Sequence, residues 1–597
     1  MEQDTKISRG AGADETERAV RERVDALEAG FGPVDDPDNP LGREALLAAD
    51  EHWEVLAGAE RLLAERGIGA EVVPVAEGGK LDRLDALGRI LRPIFRRDPS
   101  IGFGHVLACH IAAAPVWIAG TPAQRRRIAE LLTAGERVAV VRRGETHAHD
   151  FVRDEFTLEQ TPDGPVLTGE KSAIANSDRA SALVVFARID EAHDAHSHSM
   201  LLIEREDLGD LIEDLPRYAT VGMHGCWFGG LAVLDAPVPP DSLVGAEGGA
   251  IELSLRASLL IRGPVASSLI ACGDTALRIA IRCAIDHSAA RGGSGAEAPR
   301  IPQLSPHDIG VLCGAFLDLL VGDCLALAAS RAAHLIPERM SACAAVAAYI
   351  VPKLLADTAD DLTVILGDGQ YMKQGAYGLF QKQLRDMSVP GLGHSGSAGR
   401  QATIIPQLPL FADRSWFHGE EPPAGLFSTD RGLPPLDFSR LAALGESDPL
   451  AAALLSCARF IAADDSWARD REQATALCDA VDQIVGELDQ LRKACAELAV
   501  QGRTALVTPH SYALADRYAF VCAAAACLGV WRDQLDGGDP FLADAAWVIA
   551  ALVRIGRLLG LPVRPGPKDG DQRIVAEVFE RYHEGLSYDL YRSVLAA

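Results

Sequence analysis

The chain has 597 residues, of which 48% are hydrophobic and 24% charged, and its formal net charge is −27. Binding to nucleic-acid phosphates needs clustered Lys and Arg, so this acidic balance argues against a nucleic-acid partner. The length is sufficient for several domains with a large buried core.

The cysteines and the N-terminus indicate the compartment. None of the twelve cysteines forms a CxxC pair, and most lie in text such as VCAAAACLGV, where a thiol acts as a small buried hydrophobe. The first residues, MEQDTKISRGAGADETERAV, lack the apolar stretch of a signal peptide. No apolar run free of charges reaches membrane-spanning length. We therefore expect a cytoplasmic protein without disulfides or a membrane segment.

The first half of the chain changes from helical to β-rich text. Residues 1–40 are polar, end in GPVDDPDNPLG and are predicted to be a leader and linker. Residues 41–135 carry apolar residues at three-to-four spacing and are predicted to be helical, with Thr121 as the N-cap of the last helix. Residues 136–250 contain alternating or β-rich runs such as ALVVFARID and GLAVLDAPVP, which predict a β-domain.

The second half is predicted to be helical throughout. Residues 251–420 contain long apolar stretches such as SPHDIGVLCGAFLDLLVGDCLALAASRAAHLI, which predict a helical bundle. A Pro-rich stretch, EEPPAGLFSTDRGLPPLDF, then leads into further helices. We therefore assign residues 421–597 to an extra helical domain.

Five stretches, spread in this order over residues 45–410, carry a resemblance to a known family. They are PVAEGGKLDRLDALGRILRPIFRRDPS, GTPAQRRRIAELLTAGE, LTGEKSAIANSDRASALVVFAR, GMHGCWFGGLAVLDAPVPPDSLVG and VILGDGQY…LRDM. Together they resemble the acyl-CoA dehydrogenase family, and the part after residue 430 is similar to the extra helical domain of its longer members.

The resemblance implies a mostly α fold with a central β-domain: a helical domain, a β-barrel-like domain, a four-helix bundle and the extra helical domain. It implies FAD between the β-domain and the bundle, and dehydrogenation of an acyl thioester linked to coenzyme A or to a carrier protein. A carboxylate would remove the α-proton while the β-hydrogen leaves as hydride to the flavin. It also implies a homodimer or homotetramer, with a hetero-oligomer as the alternative.

The catalytic base of the family has no carboxylate counterpart in this chain. Counting from Arg385 and Asp386 through RDMSVPGLGHSGSAGRQ puts His394 at the position of the usual Glu. At the other position used in the family, on the first bundle helix, the chain has Arg256. A neutral imidazole titrates in the range suited to a general base, so His394 is the candidate base. The alternative is that His394 is a solvated loop residue.

The first flavin-contacting element also departs from the family pattern. Its β-domain run aligns with VVRRGETHAHD, which puts Val140 at the usual Tyr, Arg143 at the Thr and His149 at the Ser, and keeps only Asp150. The resemblance thus makes Arg143 and His149 candidates for a reshaped flavin pocket with a catalytic role. Arg143 either raises the flavin potential as a nearby cation or fills an empty flavin site.

The strand that follows has lost its polar contacts to the flavin. Ala173 stands at the family's Trp and Ala175 at its Thr, whereas Asn176 is kept. Loss of one preorganised donor typically costs about 2.7–4 kcal/mol in a transition state. The resemblance therefore implies cofactor binding at these positions and, at the same time, a weakened site.

Two further cofactor elements come from the bundle. Arg291 partly matches the "R-x-F-G" element that reaches the FAD of a neighbouring subunit. Gly367 and Gly369 in LGDGQ retain most of a glycine element that lets the backbone approach the cofactor.

Two histidine-rich segments contain residue types that can bind a metal. DEAHDAHSHSM contains His193, His196 and His198 and is predicted to be a solvated loop between two strands. THAHD contains His147 and His149 and is interpreted as a polar pocket lining. No metal site is predicted.

Two functional hypotheses follow. The first is an acyl-CoA dehydrogenase-like flavoprotein in a specialised pathway, with His394 as base. The second is a flavin-free protein of the same fold, either a non-catalytic partner subunit or an acid/base enzyme. A narrower third option is a flavoprotein that uses O₂.

Overall fold

The computed structural model describes residues 11–141, 156–189, 196–292, 300–388, 397–501, 506 and 508–596. Its N-terminal helices are α1 (Ala11–Phe31), α2 (Arg43–Glu51), α3 (Ala57–Glu65), α4 (Leu84–Arg97), α5 (Pro99–Gly102), α6 (Ala108–Ala119) and α7 (Pro122–Thr133). Helix α5 continues into α6 through a π-helical turn at Phe103–Leu107. The predicted N-cap of α7 is confirmed, because the Thr121 side chain accepts from the backbone N–H of Gln124.

Helix α1 lies inside the segment predicted to be a polar leader, and that prediction is wrong. Val24, Leu27 and Phe31 of α1 are buried, and α1 packs against α4. Its Glu17 accepts from Arg89 of α4 at 2.7 Å, with both side chains buried. The prediction relied on the charged composition of this segment and overlooked its apolar stripe at helical spacing.

The β-domain lies between the N-terminal helices and the bundle. Its strands are β1 (Arg137–Val141), β2 (Thr157–Thr161), β3 (Gly164–Ala175), β4 (Ala180–Arg188), β5 (His198–Glu204), β6 (Ile212–Leu215) and β7 (Phe228–Pro237), with the short helix α8 (Arg205–Leu208) after β5. These strands form one mixed sheet in the order β1-β4-β2-β3-β7-β6, and β5 pairs with β4. Strand β1 runs parallel to β4, whereas β3 and β7 are antiparallel.

The bundle and the C-terminal helices share one core. The bundle helices are α9 (Ala250–Gly292), α10 (Pro306–Leu335), α11 (Ser341–Leu366), α12 (Gly375–Met387), α13 (Ser397–Ile404) and α14 (Leu408–Arg414). The C-terminal helices are α15 (Pro449–Ala463), α16 (Arg471–Gln501), α17 (Pro509–Gln534), α18 (Pro540–Ala543), α19 (Ala545–Leu558) and α20 (Lys568–His583). Helix α17 packs on α10 and α11, so the apolar core is continuous across the predicted boundary near residue 420.

Within the part of the chain that the structure describes, four helical stretches are long and apolar enough to cross a membrane by length and composition, which the sequence analysis did not anticipate. They are Pro99–Ala119, Pro306–Leu335, Ser341–Tyr371 and Pro509–Gln534. Their apolar windows are 83–89% buried inside the protein. A helix that is apolar on all sides is expected in the core of a large protein, and packing accounts for these four.

The cysteines behave as predicted. All twelve are free, and all but Cys313 and Cys478 are buried.

Candidate functional site

The candidate site is the junction where the N-terminal helices, the β-domain and the bundle meet. At its centre, the ammonium group of Lys382 on α12 donates to Asp386 and, at 2.8 Å, to Asp98. Asp50 lies 3.7 Å from the same nitrogen, and the Lys382 side chain is 1% exposed. Burial by itself lowers the pKa of Lys382, but the three carboxylates outweigh it and raise the pKa above its usual value. The lysine is therefore held charged in the core.

The Arg-Asp motif at the end of α12 joins the bundle to both other layers. Arg385 donates to Asp50 at 2.7 Å and to the carbonyl of Val221 at 3.2 Å. Asp386 accepts the backbone N–H of Met223. A Cβ at Gly222 would lie 2.6 Å from the backbone of Arg385, so glycine is required for this approach. Met223 and Asp386 are 163 positions apart in the sequence, so two distant motifs meet at this point of the structure.

The loop between β6 and β7 lies beside this motif and is held in place by aromatic and cationic groups. The His224 ring stacks on Trp53 at 4.0 Å between centroids, and its Nδ1 lies 2.9 Å from the carbonyl of Asp50. The Arg217 guanidinium lies over both Trp53 and Trp227, at 5.4 and 5.1 Å from the ring centroids. It also donates to the carbonyl of Trp53 at 2.7 Å. The loop is therefore clamped onto the N-terminal helices.

A second ion cluster connects α3, the π-helical turn and the start of the sheet. The Glu60 carboxylate accepts from Arg137 at 3.0 Å and from Arg179 at 2.9 Å, and it lies 3.0 Å from His105. Burial raises the pKa of Glu60, but hydrogen bonds from His105 and Arg179 outweigh it and lower the pKa to about 2. Glu60 is thus ionised at neutral pH.

Asn176, predicted to contact the cofactor, has its side-chain amide engaged within the protein. Its Nδ2 donates to the carbonyl of Gly104 at 2.6 Å, and Gly104 belongs to the π-helical turn. Its backbone is left-handed, with φ +61°. The side chain therefore ties the end of β3 to the N-terminal helices. Since π-helical turns often occur at functional sites, the junction remains a candidate.

The other predicted positions on β3 carry no polar side chain. Ala173 has φ +57° and is exposed, next to a register irregularity between Lys171 and Ile174. Ala175 is half-buried and packs on the main core. Bulges and left-handed non-glycine residues concentrate at functional sites, but neither alanine supplies a hydrogen bond to a ring.

The two predicted glycines lie at the end of α11. Gly367 ends the helix with φ +54° and ψ −134°, a conformation that favours glycine. A Cβ at Gly369 would lie 2.2 Å from the ring of Tyr377. The space that Gly369 leaves open is thus filled by a side chain of the same chain.

Several predicted site residues fall in segments that the structure does not describe. His394, Arg143, His147, His149, Asp150 and His193 lie outside the described residues, and so does the side chain of Arg291. Their predicted roles stay predictions.

Arg256, at the alternative position for a base, binds the segment between α14 and α15. It donates to the carbonyls of Leu441 at 3.0 Å and Phe438 at 3.2 Å. The cation therefore anchors a linker of the C-terminal extension to the bundle.

His198 was predicted to lie in a solvated loop, and this is wrong. It is fully buried on β5, opposite Arg188, and its ring stacks on Phe186 at 4.9 Å between centroids. All residues of β5 except Glu204 are buried, so both faces of the strand are covered and His198 lies in the core.

Lys382, Asp50 and Asp98 were missed by the sequence analysis. The spacing of Lys382 and Asp386, four residues apart on one helix face, was a readable signal for their pairing. The sequence Asp98-Pro99 marks Asp98 only as a helix N-cap, and nothing local marks Asp50 or Asp98 as a partner of α12, since these bonds span hundreds of residues.

No protein-family model matches this chain. A curated relative, the human mitochondrial short-chain specific acyl-CoA dehydrogenase, is 25% identical over 259 residues, which are 43% of this chain and 61% of that protein. The chain spans less than two thirds of the length of the curated relatives it matches.

Solved structures match over more of the chain. An acyl-CoA dehydrogenase complexed with FAD from Bacillus anthracis aligns with a TM-score of 0.66 at 15% identity, over 96% of this chain and 95% of that one. A prolyl acyl carrier protein oxidase aligns with a TM-score of 0.54 at 16% identity, over 66% of this chain and 98% of that one. At these identities the matches establish the fold, and they confirm the predicted fold class.

Proposed function

We propose that this chain, which has the acyl-CoA dehydrogenase fold, is a flavin-dependent oxidoreductase that acts on an acyl thioester. The observation that carries the proposal is the fold match over 96% of the chain with an acyl-CoA dehydrogenase complexed with FAD. The interlocked junction around Lys382 supports it, because it fixes the β-domain and the bundle relative to each other. A fixed junction is what preorganised catalysis needs.

The described residues fit a flavin only in part. A bound flavin supplies the hydride acceptor for the reaction. At the positions that the family uses to hold its ring, Ala173 and Ala175 have no donor, and the amide of Asn176 is engaged with Gly104. In the proposed site, hydrogen bonds to the ring would therefore come from backbone groups and from Arg143 and His149.

His394 is the proposed base. Its neutral imidazole would take the α-proton. A hydrogen-bond donor to the thioester oxygen would then have to stabilise the enolate that develops. A backbone N–H in the same loop would serve as that donor. Arg143 and His149 would reshape the flavin pocket.

The substrate, pathway and assembly are further parts of the proposal. The substrate is an acyl group on coenzyme A or on a carrier protein, and a specialised pathway would account for the altered pocket. The fold shared with a prolyl acyl carrier protein oxidase supports the carrier protein as one of these two possible carriers of the acyl group. We further propose a cytoplasmic homodimer or homotetramer, with a hetero-oligomer as the alternative.

The first experiment measures flavin content. Purified full-length protein is examined for visible flavin absorbance, and FAD released by heat is quantified by fluorescence. About one FAD per chain supports the proposal. A colourless protein that does not change the fluorescence of added FAD contradicts it.

A matched pair of variants tests where the flavin lies. Ala175→Thr restores the hydroxyl that the family has at this position, whereas Ala175→Val has the same shape without it. One hydrogen bond contributes about 0.5–1.5 kcal/mol, so Ala175→Thr should bind FAD up to about tenfold more tightly than Ala175→Val. Equal affinities would place the ring elsewhere.

The second experiment measures substrate oxidation. Anaerobic addition of butyryl-CoA, or of a carrier protein bearing an acyl group, should bleach the flavin band, with dithionite as a control for a reducible flavin. Bleaching by dithionite alone would reject these thioesters as substrates.

A flavin-free protein of the same fold is the second candidate. It is favoured by the two alanines on β3 and by Tyr377, which fills the space beside Gly369. It would be either a non-catalytic partner subunit or an acid/base enzyme. The flavin-content experiment separates it from the first candidate.

A further inference from the structure

A cavity of about 560 Å³ lies between the bundle and the C-terminal extension. It is lined by residues of α10, α11, α16, α19 and α20, and none of these residues belongs to the junction described above. Pockets that bind small molecules have volumes of about 300–1,000 Å³ and occur preferentially between domains. The size and the place are therefore those of a ligand site.

The walls of this cavity are mostly apolar. The larger apolar side chains are Ile309, Leu317, Ile549, Val553, Ile574 and Val575, and small residues such as Ala546, Ala550 and Gly570 lie between them. Gly310 is exposed at the edge of the cavity, and a Cβ there would have no atom within 4 Å, so the missing side chain widens the opening. Apolar walls of this kind favour a hydrocarbon ligand, because contact with an alkyl chain removes their apolar surface from water.

One wall carries a guanidinium held in a fixed orientation. Arg554 donates through Nε and Nη2 to the buried carboxylate of Asp318, both at 2.6 Å. Its Nη1 has no hydrogen-bond acceptor among the described residues. A Cβ at Gly314 would lie 2.9 Å from Nη1, so the glycine makes room for it on the cavity wall. Arg554 is thus held in place on the cavity wall, with Nη1 left to donate to a ligand.

A second guanidinium lies on the same helix at the opening. Arg557 is exposed, lines the cavity and forms no hydrogen bond or ion pair within the described ranges. Three carboxylates also line the opening: Asp361, which is 3.8 Å from Arg554, Asp357, which pairs with Lys353 elsewhere, and Asp571. Arg469 also lines the cavity, but it is paired with Asp569 at 3.0 Å and with Asp544 at 3.6 Å. The three acids repel a multiply charged anion such as a phosphate more strongly than a single carboxylate, which can still pair with Arg554 and Arg557.

We propose that this cavity binds a fatty acid, with the hydrocarbon chain between α10, α19 and α20 and the carboxylate at Arg557 and Arg554. One molecule occupies roughly 30 Å³ in liquid water, and at that volume per non-hydrogen atom the cavity accommodates up to about 19 such atoms. Dodecanoate therefore fits. The site goes beyond the proposed function, since it is built from other helices and needs no flavin.

The experiment is calorimetric titration of the full-length protein with dodecanoate below its micelle concentration. We expect one molecule per chain and a loss of affinity of about fourfold for each methylene removed from the acid. Dodecyltrimethylammonium, with the same chain and a cationic head, should bind at least tenfold more weakly.

Two variants and a matched control connect this binding to the cavity. Gly310→Leu places a bulky side chain at the opening of the cavity and should weaken dodecanoate at least tenfold. Arg557→Gln should weaken it several-fold without affecting packing. Gly486→Leu is the control, because its Cβ also meets no atom within 4 Å but it lies on α16 outside the cavity. Leucine is a better helix former than glycine, so melting temperatures of both leucine variants should not fall.

Two outcomes would overturn the proposal. The first is dodecanoate affinity that is the same in Gly310→Leu, Arg557→Gln and the control. This would also be seen if the acid bound only at the junction. The second is tighter binding of the cation than of the acid. Neither outcome depends on whether the protein holds FAD, so failure here is distinct from failure of the proposed function.

Discussion

Replacement of Lys382 by methionine should destabilise the protein strongly, because it removes the cation at the three-layer junction. In the native protein the ammonium lies among the carboxylates of Asp50, Asp98 and Asp386, and the side chain is 1% exposed. Methionine has a similar length and fills the same space. The variant therefore tests the charge and leaves the packing volume nearly unchanged.

The expected cost comes from the carboxylates left behind. Removing one partner of a buried ion pair typically costs about 3–5 kcal/mol. Two compensations keep the value near the lower end: Asp386 still accepts from the N–H of Met223, and Asp50 still accepts from Arg385. We therefore expect the free energy of unfolding to fall by about 3 kcal/mol near neutral pH.

The cost should depend on pH in a defined direction. Burial raises the pKa of Asp386 above its usual value even with Lys382 opposing it, and loss of the ammonium raises it further. As the pH falls through this raised pKa, the folded variant takes up a proton before the unfolded chain does, which stabilises it. The penalty is therefore largest near about pH 8 and smaller near about pH 5.

Urea unfolding at both pH values, followed by tryptophan fluorescence, measures this penalty. Lys353→Met is the matched control, since Lys353 lies 3.6 Å from Asp357 at the surface of α11 and such pairs contribute about 0.2–1 kcal/mol. If Lys382→Met does not fold, Asp386→Asn in the same chain should restore part of the stability. A penalty equal to the control, or one that does not change with pH, would refute the reasoning.

The remaining predictions concern the base, the glycine element and the linker. His394→Ala should slow anaerobic flavin reduction by an acyl thioester about 10²–10⁴-fold, and an unchanged rate would make the residue a loop remnant. Gly369→Ala should destabilise the protein by about 1–3 kcal/mol in thermal unfolding, since the methyl group meets the Tyr377 ring, and Tyr377→Ala should relieve most of this. Arg256→Met should speed proteolytic cleavage between residues 415 and 448, measured by mass spectrometry, because two carbonyls of this linker lose their donor.

The sequence was sufficient for features that depend on local patterns. The N-cap at Thr121, with Pro122 as the first helical residue, follows from the chemistry of helix starts and is present in the structure. The change from helix to strand begins at Arg137, next to the predicted residue 136. Both depend on a few neighbouring residues, which a single sequence shows directly.

Features that depend on distant residues were not predictable in the same way. Asp98 and Lys382 are 284 positions apart, and nothing near either residue marks the other as its partner. Helix α1 was missed for another reason: its surface is so charged that composition outweighed the spacing of Val24, Leu27 and Phe31. Burial of that stripe depends on α4, which supplies the facing surface.

The residues that made the resemblance visible are largely those that join the layers. Asp386 receives the N–H of Met223, Gly222 lets the two backbones approach, and Asn176 holds the π-helical turn at Gly104. Such contacts are required by the fold whatever the reaction, because a lost partner leaves a buried polar group unpaired. Positions that would touch only the cofactor, such as Ala173 and Ala175, are free of that constraint, and these are the ones that differ from the family. Similarity to acyl-CoA dehydrogenases therefore supports the fold much more strongly than it supports the reaction. The flavin content of the purified protein is the measurement that tests the reaction directly.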